Sequence, residues 1–221
     1  MQMFMGGGLP RVAIALTVSS STANYNIFTN RGGTYAAGRS DITLTINSGV
    51  NVYSTSVGTP GLTVGGFTTG DTVKIVNNGT IAGKGGDGNA EAGGTALSTA
   101  FATSITNNGT VQGGGGGGAP GPSFYCCYCG QPRSYGAGGG GGGAGINAGA
   151  GGGGFAGGCG NGCSGCPGGP INGGPGGHAY AGYGVTGGNR GAAGSYGAGS
   201  CTVGNAYITW TVIGNRYGPL N

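Results

Sequence analysis

Charge is scarce in this sequence. Asp, Glu, Lys and Arg make up 5% of its 221 residues, against about 25% in ordinary domains. The four acids, Asp41, Asp71, Asp87 and Glu91, all lie in the first half, and His178 is the one histidine. So few titratable groups leave little from which to build a triad or an acid–base pair. The chain is therefore expected not to be an enzyme; a Cys163–His178 nucleophile pair has no support beyond the two residues' coexistence. Nucleic-acid binders gather Lys and Arg into stripes. Here the residues after Glu91 hold only Arg133, Arg190 and Arg216, so no nucleic-acid partner is expected. No run approaches the ~20 apolar residues of a membrane span. Residues 11–18 alternate in polarity and read as a first strand better than as an export signal. The glycine runs lack the Gly-Lys-Ser/Thr ending of a phosphate loop.

What the chain has in quantity is glycine, 63 residues. Between 113 and 200, 40 of 88 residues are Gly, which by default reads as a flexible linker. Two features argue for order instead. The stretch holds aromatic residues and six cysteines, for which a linker has little use. Its glycines also fall partly into a register of three: Gly162, Gly165, Gly168, Gly174 and Gly177. Threefold spacing belongs to extended helices of the polyproline-II type, which have 3 residues per turn. All-glycine runs would let such helices pack closely on every side. We expect a bundle of them, joined by loops at 119–135, 145–150, 157–170, 178–183 and 188–195. The triplet register breaks at Ile171, which excludes strict collagen.

The first half reads as β-structure. Runs rich in Thr, Val and Ile recur at 11–19, 25–29, 41–47, 72–77 and 103–107, bounded by Asn and Gly. A repeat of thirty residues links Asn47-Ser48-Gly49, Asn77-Asn78-Gly79 and Asn107-Asn108-Gly109, with Asp41 and Asp71 also in step. Each Asn-Gly could close a tight hairpin; a fixed period instead suggests stacked arcs, as in a solenoid. Residues 207–213, with the one Trp, read as a strand that returns to close the β-region, its Tyr207 and Trp210 serving as packing. Residues 214–221 read as a tail. The expected fold is thus all-β in the N-terminal region (a β-repeat or sandwich, 1–112), then a glycine-rich threefold-helix bundle (113–200), then a closing strand and tail (201–221), with almost no α-helix.

Cysteine and tyrosine carry the candidate chemistry. Cys126-x-x-Cys129 and Cys163-x-x-Cys166 are two paired motifs, joined by Cys127, Cys159 and Cys201. Four thiolates could hold a structural zinc, but the gap between the pairs exceeds the usual ribbon spacing. Disulfides that staple loops to a thin core are the leading reading, with unpaired thiols next and zinc last. The odd count leaves at least one cysteine over. No other cofactor is expected. Tyrosine set among Gly and Ser is the palette of binding loops. On loop placement, Tyr125, Tyr128, Arg133, His178, Tyr180, Tyr183, Arg190 and Tyr196 are the candidate recognition residues.

The run 44–52 (Leu-Thr-Ile-Asn-Ser-Gly-Val-Asn-Val), the two Asn-Asn-Gly-Thr segments, the glycine run opening at Gly113 and the ending 207–216 together resemble glycine-rich tail-fibre and tail-tip proteins of tailed phages. The likeness covers most of 13–216 and rests on composition and short motifs. The glycine-rich half is similar to the distal adhesins of T-even-type long tail fibres. That resemblance implies a sandwich of polyglycine-II helices whose loops bind a host outer-membrane protein or glycan. It further implies a virion protein made in the host cytoplasm, held by its β-region to other tail proteins, as a homotrimer or as a monomer on a trimeric fibre. The cysteines depart from that pattern. A structural tail protein with no receptor, an ice-binding protein and a hydrolase are the competing classes. The second wants repeated Thr on one face, and Thr186 is the one Thr between 113 and 200. The third lacks its residues.

Overall fold

The structure, a computed structural model, describes residues 9–120, 125–128, 131–134, 143–152, 156–157, 160–161, 168–169, 171–175, 178–179, 182–183, 186–190 and 192–221. The β-region is a three-sided parallel solenoid. Its first face stacks Val12–Val18, Ser40–Ile46, Thr72–Asn77, Thr103–Asn107 and Ile208–Val212. The second stacks Thr22–Ala23, Asn51–Tyr53, Thr80–Ala82, Thr110–Gln112 and Asn215–Tyr217. Tyr25–Asn26, Leu62–Val64, Leu97–Thr99 and Thr202–Val203 form the third. Every pairing between coils is parallel. The hairpin alternative for the Asn-Gly units therefore fails: Asn-Gly turns the chain from one face to the next.

Alternation along each strand sends every second side chain inward, and the register lines these into columns. One column runs Leu16, Leu44, Ile75, Ile105, Trp210. Another runs Val18, Ile46, Asn77, Asn107. Leu44, Ile46, Ile75 and Ile105 are wholly buried. In the second column the aliphatic residues give way to an asparagine ladder. Asn77 Nδ2 donates to Asn107 Oδ1 at 2.8 Å and to Thr110 O at 3.1 Å, while Asn107 Nδ2 donates to Ile213 O. Asn47 stands outside this ladder. Its corner, 47–50, is longer than the corners at 78–79 and 108–109, so Asn77 lies opposite Ile46 rather than Asn47. By the same shift Asp41 pairs with Thr72, and Asp71 lies before the strand.

The last coil corrects two expectations. Residues 215–217 form a second-face strand rather than a tail. Tyr207 is 52% exposed, and Trp210 is half-buried at the end of its column. Among the described residues no strand pairs with the outer side of Ile208–Val212, so these ring sites stay open.

The glycine-rich stretch enters the solenoid at a single corner. Between the second and third faces the chain spans Asn24 in the first coil, 54–61 in the second, 83–96 in the third and 113–201 in the fourth. The fourth coil then resumes at Thr202, whose strand pairs with Leu97–Thr99. Within this outgrowth the hydrogen bonds follow a threefold rule. Gly114, Gly115 and Gly116 donate to Gly94 O, Ala144 O and Ala192 O, and Gly117 returns to Glu91 O in the first of those segments. Likewise Gly114 and Gly117 accept from Gly199 and Tyr196, while Gly115 and Gly118 accept from Gly86 and Asn89. Each repeated neighbour is met again after three residues, the signature of a helix with 3 residues per turn in a polyglycine-II-type layer. Glycine is required by contact: a Cβ on Gly114 would meet the Lys84 carbonyl, and one on Gly115 the Gly188 carbonyl.

Candidate functional site

Direction in the layer follows from its hydrogen bonds. Gly113 N donates to Tyr217 O on the second face, and Gly118 O accepts from Asn89, at the turn of the 83–94 segment. Residues 113–118 therefore run from the solenoid outward, in parallel with 83–89. Residues 143–147 run back: Ala144 O bonds Gly115, and Asn147 Nδ2 reaches Ser54 O on the solenoid side. Residues 150–152 go out again, with Ala150 O accepting from Gly88 and Gly152 lying against the Asn89 side chain. Gly168 and Gly169 return beside Gly149 and Gly145, and Gly174 and Gly187 pair as the chain goes out and back once more.

That weave sends three connections, 119–142, 153–167 and 176–186, off the same outer end. Each carries a two-stranded antiparallel hairpin: Tyr125–Tyr128 with Gln131–Ser134, Ala156–Gly157 with Gly160–Asn161, and His178–Ala179 with Gly182–Tyr183. Tyr125 pairs with Ser134, Cys126 with Arg133, Tyr128 with Gln131 and His178 with Tyr183. Five of the candidate recognition residues thus lie on two hairpins at one end. Tyr180 lies outside the described residues, as do Cys129, Cys159, Cys163 and Cys166.

The other two candidates have contacts within the fold. Arg190 lies on the solenoid side, its guanidinium carbon 3.8 Å from the centre of the Tyr217 ring and its Nη1 3.4 Å from Gln112 Oε1. Tyr196 is at the outer end, half-buried, and donates its hydroxyl to Asn89 O at 2.6 Å. A charged cluster that sequence reading passed over stands beside it. Lys84 Nζ is 3.0 Å from Asp87 Oδ1 and 3.7 Å from Glu91 Oε2, and Asp87 Oδ1 also accepts from Ala150 N–H. The spacing of Lys84, Asp87 and Glu91 was visible in the chain, but their convergence depends on the turn at Asn89, where φ is +71°.

Cys201 is the one cysteine whose side chain is described. It is buried in the solenoid core as a free thiol, with Sγ 3.3 Å from Val111 O. Burial pushes its thiol up to about 11, which keeps it protonated and unreactive at neutral pH. Among the described residues no group of three or more His, Cys, Asp or Glu side chains could hold a metal ion. No helix among them is long and apolar enough to cross a membrane.

Comparison with known proteins bears on this arrangement. The family model described as phage tail fibre adhesin Gp38 matches residues 13–221. The gp37–gp38 adhesin tip complex of the bacteriophage S16 long tail fibre contains a chain of similar fold. The two are 21% identical, with a TM-score of 0.55 over 96% of this chain and 82% of that one. No curated protein sequence matches the chain.

Proposed function

The chain belongs to the phage tail fibre adhesin Gp38 family, and on that premise we propose that the three hairpins at the outer end of its glycine layer contact the host receptor. The observation that carries this reading is their common placement: three separate connections, distant in sequence, leave the layer at the end remote from the solenoid. A layer built from backbone hydrogen bonds between closely packed glycines is a stiff base, and loops on a rigid base are where recognition concentrates. Tyr125, Tyr128, Arg133, His178, Tyr180 and Tyr183 are the residues assigned to contact, with an outer-membrane protein or a surface glycan as the receptor class. Tyr196 and Arg190 hold the base.

The solenoid is the attachment part. Its last coil exposes Val203, Tyr207, Val212, Ile213 and Leu220, and its strands Ile208–Val212 and Asn215–Tyr217 are paired on one side only, an apolar open end suited to another tail-fibre protein. The S16 chain of similar fold is part of a complex with gp37. The solenoid core closes within a single chain, which supports one copy seated on a fibre over a homotrimer. Synthesis in the host cytoplasm and assembly into the virion tail complete the reading.

The test is binding of the labelled protein to bacterial cells, with Tyr180→Ala/Tyr183→Ala beside Tyr207→Ala. Saturable binding lost in the hairpin variant and kept in Tyr207→Ala supports the proposal. Equal binding by all three would move the contact off the hairpins, and no binding to any strain that the phage infects would favour a structural tail protein.

A further inference from the structure

The last coil ends the solenoid core on a charge. On the second face the inward column runs Val52, Ile81, Val111, Arg216. The first three are wholly buried; in the fourth place stands a half-buried arginine. Its guanidinium carbon lies 4.8 Å from the centre of the Trp210 ring, which ends the inward column of the first face. On the third face Leu220 bridges to Thr202 and so ends the column Leu62, Leu97, Thr202. Among the described residues no strand pairs with the outer side of Ile208–Val212 or Asn215–Tyr217. The end surface thus takes one inward residue from each face, Trp210, Arg216 and Leu220, with Val212 and Ile213 exposed beside them.

Arg216 has no acid to answer it. The sequence holds four. Asp41 is held by Arg11 and Thr72, Asp71 by Tyr35, Ser40 and Thr68, and Asp87 and Glu91 by Lys84. No ion pair of Arg216 occurs among the described residues. Covering the apolar part of this end is favourable, but covering a guanidinium without a counter-charge is strongly unfavourable. A planar carboxylate is the group that matches its fork of donors.

That requirement selects the occupant. A second copy does not meet it. Joined last coil to last coil, two copies bring Arg216 towards Arg216, on an end with no acid. Joined last coil to first, they bring Arg216 to the end that carries Arg11, Arg31 and Arg39, where Asp41 is already paired with Arg11.

We infer that the last coil docks end-on to another tail-fibre protein that sets an aspartate or glutamate side chain against Arg216, within apolar residues that cover Trp210 and Leu220. This assignment rests on the reading of the solenoid as the attachment part. The apolar cover supplies the area, and the ion pair supplies the selection: a partner with a neutral or basic residue in that place buries the guanidinium unpaired. Lysine is no equal substitute, because a guanidinium takes both carboxylate oxygens in one plane while stacking on an aromatic ring.

The experiment uses the full chain and the purified distal tail-fibre protein of the same phage, with affinity read by biolayer interferometry. Arg216→Gln, checked for an unchanged strand signal and a cooperative melt, should bind about tenfold or more weakly, and Arg216→Lys should fall between it and the wild type. Arg216→Glu should lose binding. Arginine is then placed, one position at a time, at the acidic residues of the fibre protein's docking end, and one such variant should restore binding to Arg216→Glu. Equal affinity of the wild type and Arg216→Gln would overturn the inference, as would failure of every exchange to restore binding. A dimer of this chain in light scattering that competes with the fibre protein would overturn it too, by giving the surface to a second copy. No binding by the wild type would remove the attachment reading itself, whereas equal binding by wild type and variants would remove only the carboxylate.

Discussion

Asn77 donates its side-chain amide to Asn107 Oδ1 across 2.8 Å, and both residues are fully buried. The bond joins consecutive coils at the corner where the first face becomes the second. It also satisfies polar groups in a column that is otherwise Val18 and Ile46. Replacing Asn77 by Ala leaves Asn107 Oδ1, Thr110 O and Gly79 N–H without this partner. A buried polar group left unpaired costs about 1–3 kcal/mol. In a chain of this size each kcal/mol lowers the melting temperature by about 2–4 °C. Differential scanning calorimetry of Asn77→Ala should show a fall in that range, with the strand signal in circular dichroism unchanged.

The glycine layer should fail sharply at single atoms. A Cβ on Gly115 would meet the Gly188 carbonyl, which is backbone and can move only by parting two segments. Overpacking of this kind costs about 1–3 kcal/mol or more. Gly115→Ala should speed amide exchange at Gly86, Gly116 and Gly188, which bond in that place, and leave exchange at Ile42 and Ile75 slow. Uniform protection in wild type and variant would mean that the layer is not packed as described.

Acid should weaken the solenoid through two carboxylates. The Arg11 guanidinium, at 2.8 and 2.7 Å, and the Thr72 hydroxyl hold Asp41 down at about 2, from an ordinary 3.8. Burial pushes Asp71 up, but hydrogen bonds from the Tyr35 hydroxyl and the Ser40, Thr68 and Gly38 backbone outweigh it, and its net shift is downward. A carboxyl depressed in the fold stabilises it above its unfolded value, and that contribution is lost as pH falls through the folded one. Thermal midpoints should therefore hold from neutral pH down to about 4 and fall from about 4 to about 2. Asp41→Asn should flatten part of that fall, and a midpoint with no dependence between those values would refute the assignment.

Arg190 distinguishes a binding residue from a brace. Its guanidinium lies over Tyr217 on the solenoid side, and a contact of this kind is worth about 0.5–1 kcal/mol at an exposed site. Arg190→Ala should lower the melting temperature by about 1–4 °C and bind cells as the wild type does. A large loss of binding with stability intact would put Arg190 at the receptor instead.

The two parts of the chain should also separate. Gly113 and Gly199 lie in contact where the layer leaves and re-enters the fourth coil. Removing 114–198 and joining these two should leave a solenoid with its β-signal and a cooperative unfolding transition, but without cell binding. An unfolded product would show that the coils depend on the layer.

Several of these features were readable in the chain alone. The strands at 72–77 and 103–107 and the thirty-residue spacing of Asn77 and Asn107 are local periodicities, whereas most of the threefold glycine register, at Gly162, Gly165 and Gly177, lies outside the described residues. A strand or threefold helix writes its period into which positions can be apolar or must be small. The scarcity of charge and histidine argued against a catalytic reading by the same direct route. Other features arose only in the tertiary structure. Asn47 fits the repeat in sequence yet falls out of the ladder, because one longer corner shifts the register. Arg190 and Tyr196 looked like loop residues, and the fold gives each a partner, the Tyr217 ring and Asn89 O. Cys201 proved to be a thiol buried in the solenoid core, and 113–201 proved to be one corner of a coil. Near-identical glycines carry no side chain to specify a partner, so which amide meets which carbonyl is decided by the geometry of the whole layer. The turn positions that gather Lys84, Asp87 and Glu91, and send three hairpins to one end, are set there too.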